Sequence, residues 1–247
     1  MPTTPRRGAP LAAGLAALLL LSACSTSTHG TATTSEAAAA TTTSEAPPPP
    51  PVIIKPADIP RFLLDAPQVA TLLGVPTVQS RPDDYTTFSE FPTGSTFDPP
   101  DCVTVAYPQV GANYTAAGAQ ATNGSSFGDN LQQPTARFEQ AVVTFPDATA
   151  AQGYLDALSQ LWKGCAGKTF TQNMPGIHTT PMVIGHPDTT PTGILNLALA
   201  SPSGSGWSSV RALAAVGNAV IDTQTGGYNI TADAANKFVD AIKAKMP

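Results

Sequence analysis

The sequence predicts an α+β domain from residue 57 to residue 247, with an antiparallel sheet of about five strands, about three helices packed on it and one disulfide. Three observations predict this fold. Segments with a strand pattern are gathered between segments with a helical pattern, and the connections between them are short. The tripeptide Val216-Gly217-Asn218 separates two strand patterns and favours a tight hairpin, because Gly and Asn tolerate positive φ. The stretch is long enough to build one core.

Three segments have the pattern of an amphipathic helix. In each, apolar residues recur every three to four positions, so that one face can be buried against a sheet. Each also has a residue near its start whose side-chain oxygen can accept a hydrogen bond from the first turn. The predicted helices and their capping residues are 63–73 with Asp65, 148–162 with Asp147, and 232–245 with Thr231.

Five segments with β-branched or alternating apolar residues predict strands. The predicted strands are 137–145, 180–184, 194–200, 210–215 and 219–223. Residues 80–135 are rich in Pro, Gly, Asn, Ser and Asp, with scattered aromatic side chains, and the sequence assigns no regular element to them.

The first 23 residues are typical of a bacterial export signal. Arg6 and Arg7 form a basic start, and an apolar run from residue 11 to residue 21 follows. This run is too short to span a bilayer, which needs about 20 apolar helical residues. The sequence Leu21-Ser22-Ala23-Cys24 resembles the lipobox of bacterial lipoproteins, in which lipid is attached to the Cys and the peptide bond before it is cut. The alternative is an ordinary signal peptide with an incidental Cys.

The resemblance to a lipobox implies a mature chain that begins at Cys24 and carries a diacylglycerol anchor. Two acyl chains are enough for stable attachment, so we expect the protein at the extracytoplasmic face of the cell membrane. Residues 24–56 are rich in Thr, Ser, Ala and Pro and predict a disordered tether between the lipid and the domain. Removing residues 1–23 takes two of the 12 Lys and Arg and leaves 10 against 17 Asp and Glu, a formal charge of −7. This balance disfavours binding to nucleic acid or to an anionic lipid surface.

Cys102 and Cys165 are the two cysteines that remain for the domain when Cys24 carries the lipid. An exported chain folds in an oxidising compartment, where a disulfide is the default. The two residues are 63 positions apart. Closing a loop of that size stabilises a fold by about 4 kcal/mol in the loop-entropy account. The alternative is a catalytic or metal-binding Cys, but no cluster of His and acidic residues accompanies either one in the sequence.

The sequence does not indicate a catalytic or metal site. His178 and His186 are eight residues apart in a Pro- and Gly-rich segment, whereas zinc sites use closer pairs with further ligands. No phosphate loop, dinucleotide fingerprint or calcium loop occurs in the sequence. We therefore expect no enzyme activity, no cofactor and no metal. The alternative is a cell-envelope hydrolase whose site is built from distant loops.

The aromatic residues of 80–135 predict a ligand site. The helices should pack on the sheet with their apolar faces, which leaves this stretch to wall a cleft against the sheet. The predicted lining is Tyr107, Tyr114, Phe127 and Trp207, with few charges. Such a lining suits an apolar or amphipathic ligand such as a lipid or glycolipid. The alternatives are that these aromatic side chains fill the core and that Trp207 covers a sheet edge.

The order and spacing of several motifs resemble one family. The motifs are Leu-Leu-x-x-x-x-Val-x-x-Leu-Leu-Gly from Leu63 to Gly74, Pro-x-x-Cys-Val from Pro99 to Val103 with Tyr107-Pro108, the strand 140–145 before Trp162-Lys163-Gly164-Cys165, then Val210-Arg211-Ala212-Leu213 and Asn218-Ala219-Val220-Ile221 before the last helix. Together they resemble the PknH-like extracellular sensor domain over about residues 57–247.

This resemblance implies the outward-facing module of a mycobacterial receptor Ser/Thr kinase, which also occurs alone as a lipoprotein. It further implies an antiparallel sheet with helices, a cleft for a small ligand and two disulfides. Cys102 and Cys165 match one of these bridges, whereas Ser208-Ser209 occupy the region where a Cys precedes the Arg-Ala strand in the family. We therefore expect a non-catalytic, sensor-like lipoprotein of the cell envelope that binds a small or amphipathic ligand or an envelope partner.

Overall fold

The computed structural model describes residues 52–81, 86–176 and 181–247. The predicted signal peptide, Cys24, most of the predicted tether and His178 lie outside these residues. Among the helices of the described part, none combines the length and the apolar character that crossing a membrane requires.

The sheet is antiparallel throughout and contains ten strands within the described residues. The strands are β1 (Gln79–Ser80), β2 (Thr96–Asp98), β3 (Ala121–Gly128), β4 (Ala136–Thr144), β5 (Thr169–Asn173), β6 (Met182–Ile184), β7 (Asp188–Thr189), β8 (Leu195–Ala200), β9 (Trp207–Val216) and β10 (Ala219–Tyr228). Their order is β1-β3-β4-β10-β9-β8-β6-β5-β2, and β7 pairs with β8 beside this path. β9 and β10 form the predicted hairpin, with Ala219 opposite Val216.

Helices precede, interrupt and follow the strands. Those in the described residues are α1 (Ala66–Leu73), α2 (Gly111–Ala116), α3 (Ala148–Cys165), α4 (Ala232–Lys243) and two 3-10 helices, Pro56–Arg61 and Pro100–Val105. The three predicted capping residues are confirmed. Asp65, Asp147 and Thr231 each accept a hydrogen bond from the backbone N–H of the third residue of its helix, at 2.9, 2.8 and 3.3 Å.

The sheet lies between two layers of helices. α1, α4 and the first 3-10 helix pack on one face, called here the α4 face, while α2, α3 and the second 3-10 helix pack on the other, the α3 face. Side chains of a strand alternate between the faces. In β9, for example, Val210 and Ala212 join the core of the α4 face and Leu213 joins the core of the α3 face. Both faces of the central strands are therefore buried.

The antiparallel α+β fold is confirmed, but the predicted counts of about five strands and about three helices are wrong. The described residues contain ten strands and six helices. The longest missed element is β3, whose Gly, Ser and Asn residues have low strand propensity. It is a strand because it pairs with β4 along its whole length, from Ala121 opposite Thr144 to Gly128 opposite Arg137.

The folded part begins before residue 57, where the predicted tether ends. Ile54 is 2% exposed and belongs to the core of the α4 face. Its N–H donates to Asn218 Oδ1 at 2.6 Å, and its carbonyl oxygen accepts from Asn218 Nδ2 at 3.2 Å. The predicted boundary at 56 is therefore too late, because a buried apolar side chain and a pair of hydrogen bonds hold this segment to the hairpin turn.

Cys102 and Cys165 lie at disulfide-bonding distance, as predicted. Their Sγ atoms are 2.07 Å apart and their Cα atoms 5.8 Å apart. Cys102 lies in the second 3-10 helix and Cys165 is the last residue of α3. The pair therefore joins this 3-10 helix to the long helix of the α3 face.

Candidate functional site

A buried ion pair forms the polar centre of the α3 face. Arg211 on β9 lies opposite Gln224, and Asp222 on β10 lies opposite Leu213, so that Arg211 and Asp222 are diagonal neighbours on the same face. Arg211 Nη2 and Nε are 2.6 and 3.1 Å from Asp222 Oδ1. Their side chains are only 1% and 0% exposed. Charges buried to this degree require hydrogen-bond partners on every side.

Arg211 connects the sheet to the second 3-10 helix. Its Nη1 donates to the carbonyl oxygens of Thr104 at 2.6 Å and Tyr107 at 2.9 Å. Its guanidinium carbon lies 5.5 Å from the ring centroid of Trp162 on α3. Burial opposes the charged form, but the neighbouring Asp222 carboxylate raises the pKa of Arg211 above its ordinary value. The guanidinium therefore stays charged and holds the segment 104–107 against the sheet.

Asp222 connects the sheet to α2. Its Oδ2 accepts hydrogen bonds from the Tyr114 hydroxyl at 2.6 Å and from the Gln109 backbone N–H at 3.3 Å. Burial, together with the negative charge of Asp222, raises the pKa of Tyr114 well above its ordinary value. The Tyr114 hydroxyl therefore stays protonated and remains a donor. Gln109 Nε2 also donates to Thr122 Oγ1 on β3 at 2.6 Å, which adds a second tie to the sheet.

A groove of about 720 Å³ lies beside α2, directly above this network. It is lined by residues 87–91, residues 110–112 and Thr115, and is called here the Phe88 groove. The ring of Phe88 stacks on the ring of Tyr114 with centroids 5.7 Å apart. The Ser89 N–H donates to the Gln109 carbonyl oxygen, and the Gly111 N–H donates to the Ser89 carbonyl oxygen, both at 2.9 Å. The groove wall therefore rests on groups that bind Asp222.

Phe91 connects this groove to a second aromatic cluster. Its ring meets that of Tyr107 edge-on at 5.0 Å and that of Phe97 at 4.4 Å between centroids. The Tyr107 hydroxyl is directed to Met174 Sδ at 3.9 Å. Burial raises the pKa of Tyr107, and the positive charge of Arg137 opposes this rise. Tyr107 thus stays a neutral side chain behind the groove wall.

The four aromatic residues predicted to line one cleft are not gathered in one place. Tyr114 is 1% exposed below the Phe88 groove, and Tyr107 is half-buried behind Phe91. Phe127 is 5% exposed, and its side chain joins the core of the α4 face, on the opposite side of the sheet. Trp207 is half-buried at the outer end of β9. The shared cleft is therefore wrong in its geometry, because alternation along β3 sends Phe127 to the other face. A ligand contact at any one of the four stays a prediction.

Sequence reasoning named Arg211 only as part of a family motif, and it missed Asp222 and Phe88 as residues of interest. The ion pair has a signal in the sequence. A two-residue turn at Gly217-Asn218 sets the register of the hairpin, and counting outward from the turn assigns both charged residues to the same face. Phe88 has no such signal, because it comes from a segment without periodicity and acquires its position from Tyr114.

Ser208 and Ser209 stand in the region where the resemblance implies a Cys. Ser209 is 2% exposed, and its hydroxyl accepts from Gln224 Nε2 at 2.8 Å. The Ser208 hydroxyl donates to the Ile230 carbonyl oxygen at 3.2 Å. Hydrogen bonds therefore tie β9 to β10 and to the segment before α4 at this position.

The remaining chemistry-bearing residues are dispersed over the described part. His186 is exposed. Within residues 52–81, 86–176 and 181–247, no three His, Cys, Asp or Glu side chains come close enough together to hold a metal ion.

Comparison with known proteins gives the same family at the levels of sequence and fold. The family of PknH-like extracellular domains matches residues 54–245. The serine/threonine-protein kinase PknH of Mycobacterium bovis and that of Mycobacterium tuberculosis are each 32% identical to this chain over 190 residues. The match covers 73% of this chain but only 30% and 28% of the two kinases.

The fold agrees with a solved structure of the same module. The crystal structure of the extracellular domain of PknH from Mycobacterium tuberculosis matches with a TM-score of 0.71 and 26% identity, covering 79% of this chain and 97% of that chain. This chain therefore shares with the kinases the part that lies outside the cell. The sheet, the helical layers and the family match over residues 54–245 together show that the chain belongs to the family of PknH-like extracellular domains.

Proposed function

We propose that this protein is a lipid-anchored, non-catalytic sensor-like protein that binds a small amphipathic ligand in the Phe88 groove. The observation that carries the proposal is the position of this groove. Its wall residue Phe88 stacks on Tyr114, and Tyr114 donates a hydrogen bond to the buried Asp222. The similarity to an extracellular sensor-like domain supports both the extracytoplasmic location and a role without catalysis.

The lining of the groove suits a largely apolar molecule. Its volume of about 720 Å³ lies within the range of small-molecule sites. Phe88, Phe91 and Val110 supply the apolar surface, while Glu90 is its single charged side chain. An acid at this position disfavours an anionic ligand. A neutral lipid or glycolipid, with its hydroxyl groups near Glu90 and Ser89, fits this lining best.

Binding in the groove has a direct route to the sheet. A ligand that packs against Phe88 restrains the ring that stacks on Tyr114, and it restrains Ser89, which is bonded to the Gln109 backbone. Tyr114 and Gln109 both donate to Asp222 on β10. A ligand that favours one arrangement of these contacts would therefore act on the sheet through the Asp222 carboxylate.

Ala112 offers a way to test the groove without touching the buried network. It is exposed on α2 and lines the groove, so that the indole of Ala112→Trp would occupy the ligand space. Ala117, exposed at the end of the same helix, does not line the groove. The matched control is therefore Ala117→Trp.

The test is a fluorescence titration of the chain from residue 24, with Cys24→Ser, using the neutral dye Nile red and a monoacylglycerol as competitor. We expect the wild-type protein to bind the dye and to release it when the competitor is added. Ala112→Trp should weaken dye binding at least about tenfold, which corresponds to about 1.4 kcal/mol. Ala117→Trp should behave as wild type. Equal binding by the Ala112→Trp and Ala117→Trp variants would reject the groove.

The proposed anchor rests on the lipobox at Cys24 and has a separate test. Cys24→Ala should release the protein from the membrane fraction or leave an uncleaved precursor, because two acyl chains supply the attachment. Ser25→Ala leaves the Cys in place and should remain in the membrane fraction. Membrane retention of a normally processed Cys24→Ala protein would contradict the anchor without affecting the groove.

A further inference from the structure

The outer end of the β9–β10 hairpin carries two aromatic side chains that the Phe88 groove does not use. Tyr228 lies directly opposite Trp207 in the strand register. Their ring centroids are 5.5 Å apart and their planes nearly perpendicular, at 89°. Tyr228 is 57% exposed, whereas Trp207 is half-buried beneath it. One aromatic ring is thus supported by another and open to solvent.

An arginine reaches the same place from the neighbouring strand. Arg137 on β4 lies opposite Gly226 on β10, and its guanidinium carbon is 6.0 Å from the ring centroid of Trp207 on β9. It can cross β10 because Gly226 has no side chain: a Cβ there would meet Arg137 Nε at 2.8 Å and Cγ at 3.0 Å. Within the described residues, the Arg137 side chain makes no hydrogen bond or ion pair, and its Nε is buried without a partner. Because Nε is enclosed, the Nη groups of this half-buried side chain are the donors that remain for a ligand.

Asn229, the residue after Tyr228, adds a polar side chain at the same end of the hairpin. It has φ 57°, and the Asn229 N–H donates to the Gly206 carbonyl oxygen at 2.7 Å. The Asn229 side chain is exposed, with its Oδ1 close to Gly206. The guanidinium thus contacts the ring of Trp207, and the amide belongs to the residue that follows Tyr228 in the chain.

The apolar part of this surface is small. In the described part of the chain, the other exposed large apolar side chains are Ile53 and Leu161. Ile53 lies beside Val52, which contacts Gly217 at the opposite end of the hairpin, and Leu161 lies on α3. A protein interface or a lipid surface buries a contiguous apolar patch of several hundred Å². A single supported ring between hydrogen-bonding groups does not provide such a patch.

We propose that Tyr228, Trp207, Arg137 and Asn229 form a binding site for a neutral pyranose sugar of an extracytoplasmic polysaccharide, distinct from the Phe88 groove. The C–H bonds on one face of a pyranose ring carry partial positive charge and pack on the negative face of an aromatic ring. The sugar hydroxyls accept hydrogen bonds from the Arg137 guanidinium and donate one to the side-chain carbonyl oxygen of Asn229. The formal charge of the chain from residue 24, −7 from 10 Lys and Arg against 17 Asp and Glu, favours a neutral sugar over an acidic one.

Affinity gel electrophoresis of the chain from residue 24, with Cys24→Ser, tests this site with three probes cast separately into the gel: dextran, mannan and polygalacturonate. We expect dextran or mannan to retard the protein. Tyr228→Ala and Arg137→Gln should each weaken this retardation at least about tenfold, which corresponds to about 1.4 kcal/mol. Tyr228→Phe keeps the ring and should retain binding. Leu161→Ala, which removes an exposed apolar side chain elsewhere, is the matched control and should also retain it.

Three results would overturn the proposal: no retardation by dextran or mannan, equal retardation of wild type and Tyr228→Ala, or retardation by polygalacturonate alone that disappears in salt. Thermal melting of each variant separates loss of binding from loss of fold, and Arg137→Gln provides a second variant if Tyr228→Ala melts early. Ala112→Trp should leave the retardation unchanged, so this test and the test of the Phe88 groove can fail independently.

Discussion

Arg211 and Asp222 show how two residues can organise a whole layer of the fold. Arg211 donates to the carbonyl oxygens of Thr104 and Tyr107, and Asp222 accepts from the Tyr114 hydroxyl. All three partners lie in a stretch of sequence without helical or strand periodicity. The attraction between buried charges is largely offset by their desolvation, so the pair itself adds little net stability. Its effect is to specify where this stretch lies, because each of these groups needs a partner inside the core.

The first prediction concerns removal of one member of this pair. Arg211→Met leaves the Asp222 carboxylate buried without its guanidinium and removes the donor to two carbonyl oxygens. We expect a loss of about 3–5 kcal/mol in the free energy of unfolding, measured by urea denaturation. The double variant Arg211→Met/Asp222→Leu should recover part of this loss, because no unpaired charge is left. A double variant as unstable as the sum of the two single variants would show that the charges do not act as a pair.

At the scale of residues, the helix caps could be assigned from the sequence, whereas the partners of the buried ion pair could not. Asp65, Asp147 and Thr231 could be assigned as caps, since capping depends on a few neighbouring residues. The partners of Arg211 could not be assigned, because two of them are backbone carbonyl oxygens more than a hundred positions away in the chain. Contacts of that kind depend on the path of the chain and leave no local pattern.

The hairpin of β9 and β10 has a different neighbour at each end. Its outer end carries Trp207 and Tyr228. Its turn contacts Val52 and Ile54, near the end of the predicted tether. Asn218 bonds both the N–H and the carbonyl oxygen of Ile54. Gly217 lies against the Val52 carbonyl oxygen so closely that a Cβ would overlap it. The turn therefore holds the first described residues of the chain, Val52 and Ile54, in place.

The second prediction tests this contact. Gly217→Ala places a methyl group against the Val52 carbonyl at a residue with φ 54°. Gly193→Ala is the matched control, since Gly193 has φ 79° with no atom within 4 Å of its Cβ position. Both variants carry the penalty of a left-handed alanine, about 1 kcal/mol. Gly217→Ala should lose more free energy of unfolding than Gly193→Ala and should speed amide exchange at Ile54, whereas equal losses with unchanged exchange would contradict the contact.

At the scale of elements, periodic segments were predictable and β3 was not. The helices α3 and α4 and the strands β4, β9 and β10 have apolar patterns that are visible without tertiary contacts. β3 reads ATNGSSFG and forms through pairing alone. Gly124 is required there because a Cβ would overlap the Gln140 carbonyl oxygen of β4 and approach the Gln109 side chain. The small residues that lower the strand propensity of β3 are thus the residues that let it fit between its neighbours.

At the scale of the whole molecule, one sheet is covered on both faces, and this arrangement explains why a single cleft was predicted wrongly. With α4 on one face and α3 on the other, the aromatic side chains divide between two cores. The sequence indicated that these residues are important for packing, but it could not assign them to a face without the register of β3. The family resemblance could be recognised from the sequence, because the order and spacing of the motifs are informative even where the composition is not.

The third prediction concerns the cysteine pair that holds the α3 layer together. Cys102 and Cys165 lie at disulfide-bonding distance, so the unreduced protein should show no reactive thiol even after it is unfolded in urea. Reduction should remove about 4 kcal/mol of stability and lower Tm by roughly 10 °C, measured by calorimetry with and without reductant. A Cys102→Ser/Cys165→Ser variant should melt low and show no further response to reductant. Free thiols in the untreated protein would reject the bridge.

The central claim is that this extracytoplasmic domain carries a small amphipathic ligand in the Phe88 groove. Native mass spectrometry of the chain from residue 24, incubated with a lipid extract from the envelope of its own host, tests it most directly. We predict an added mass of one lipid or glycolipid on the chain with Cys24→Ser, retained in Ala117→Trp and lost in Ala112→Trp. An unmodified mass for all three proteins, or the same added mass in Ala112→Trp, would contradict the claim.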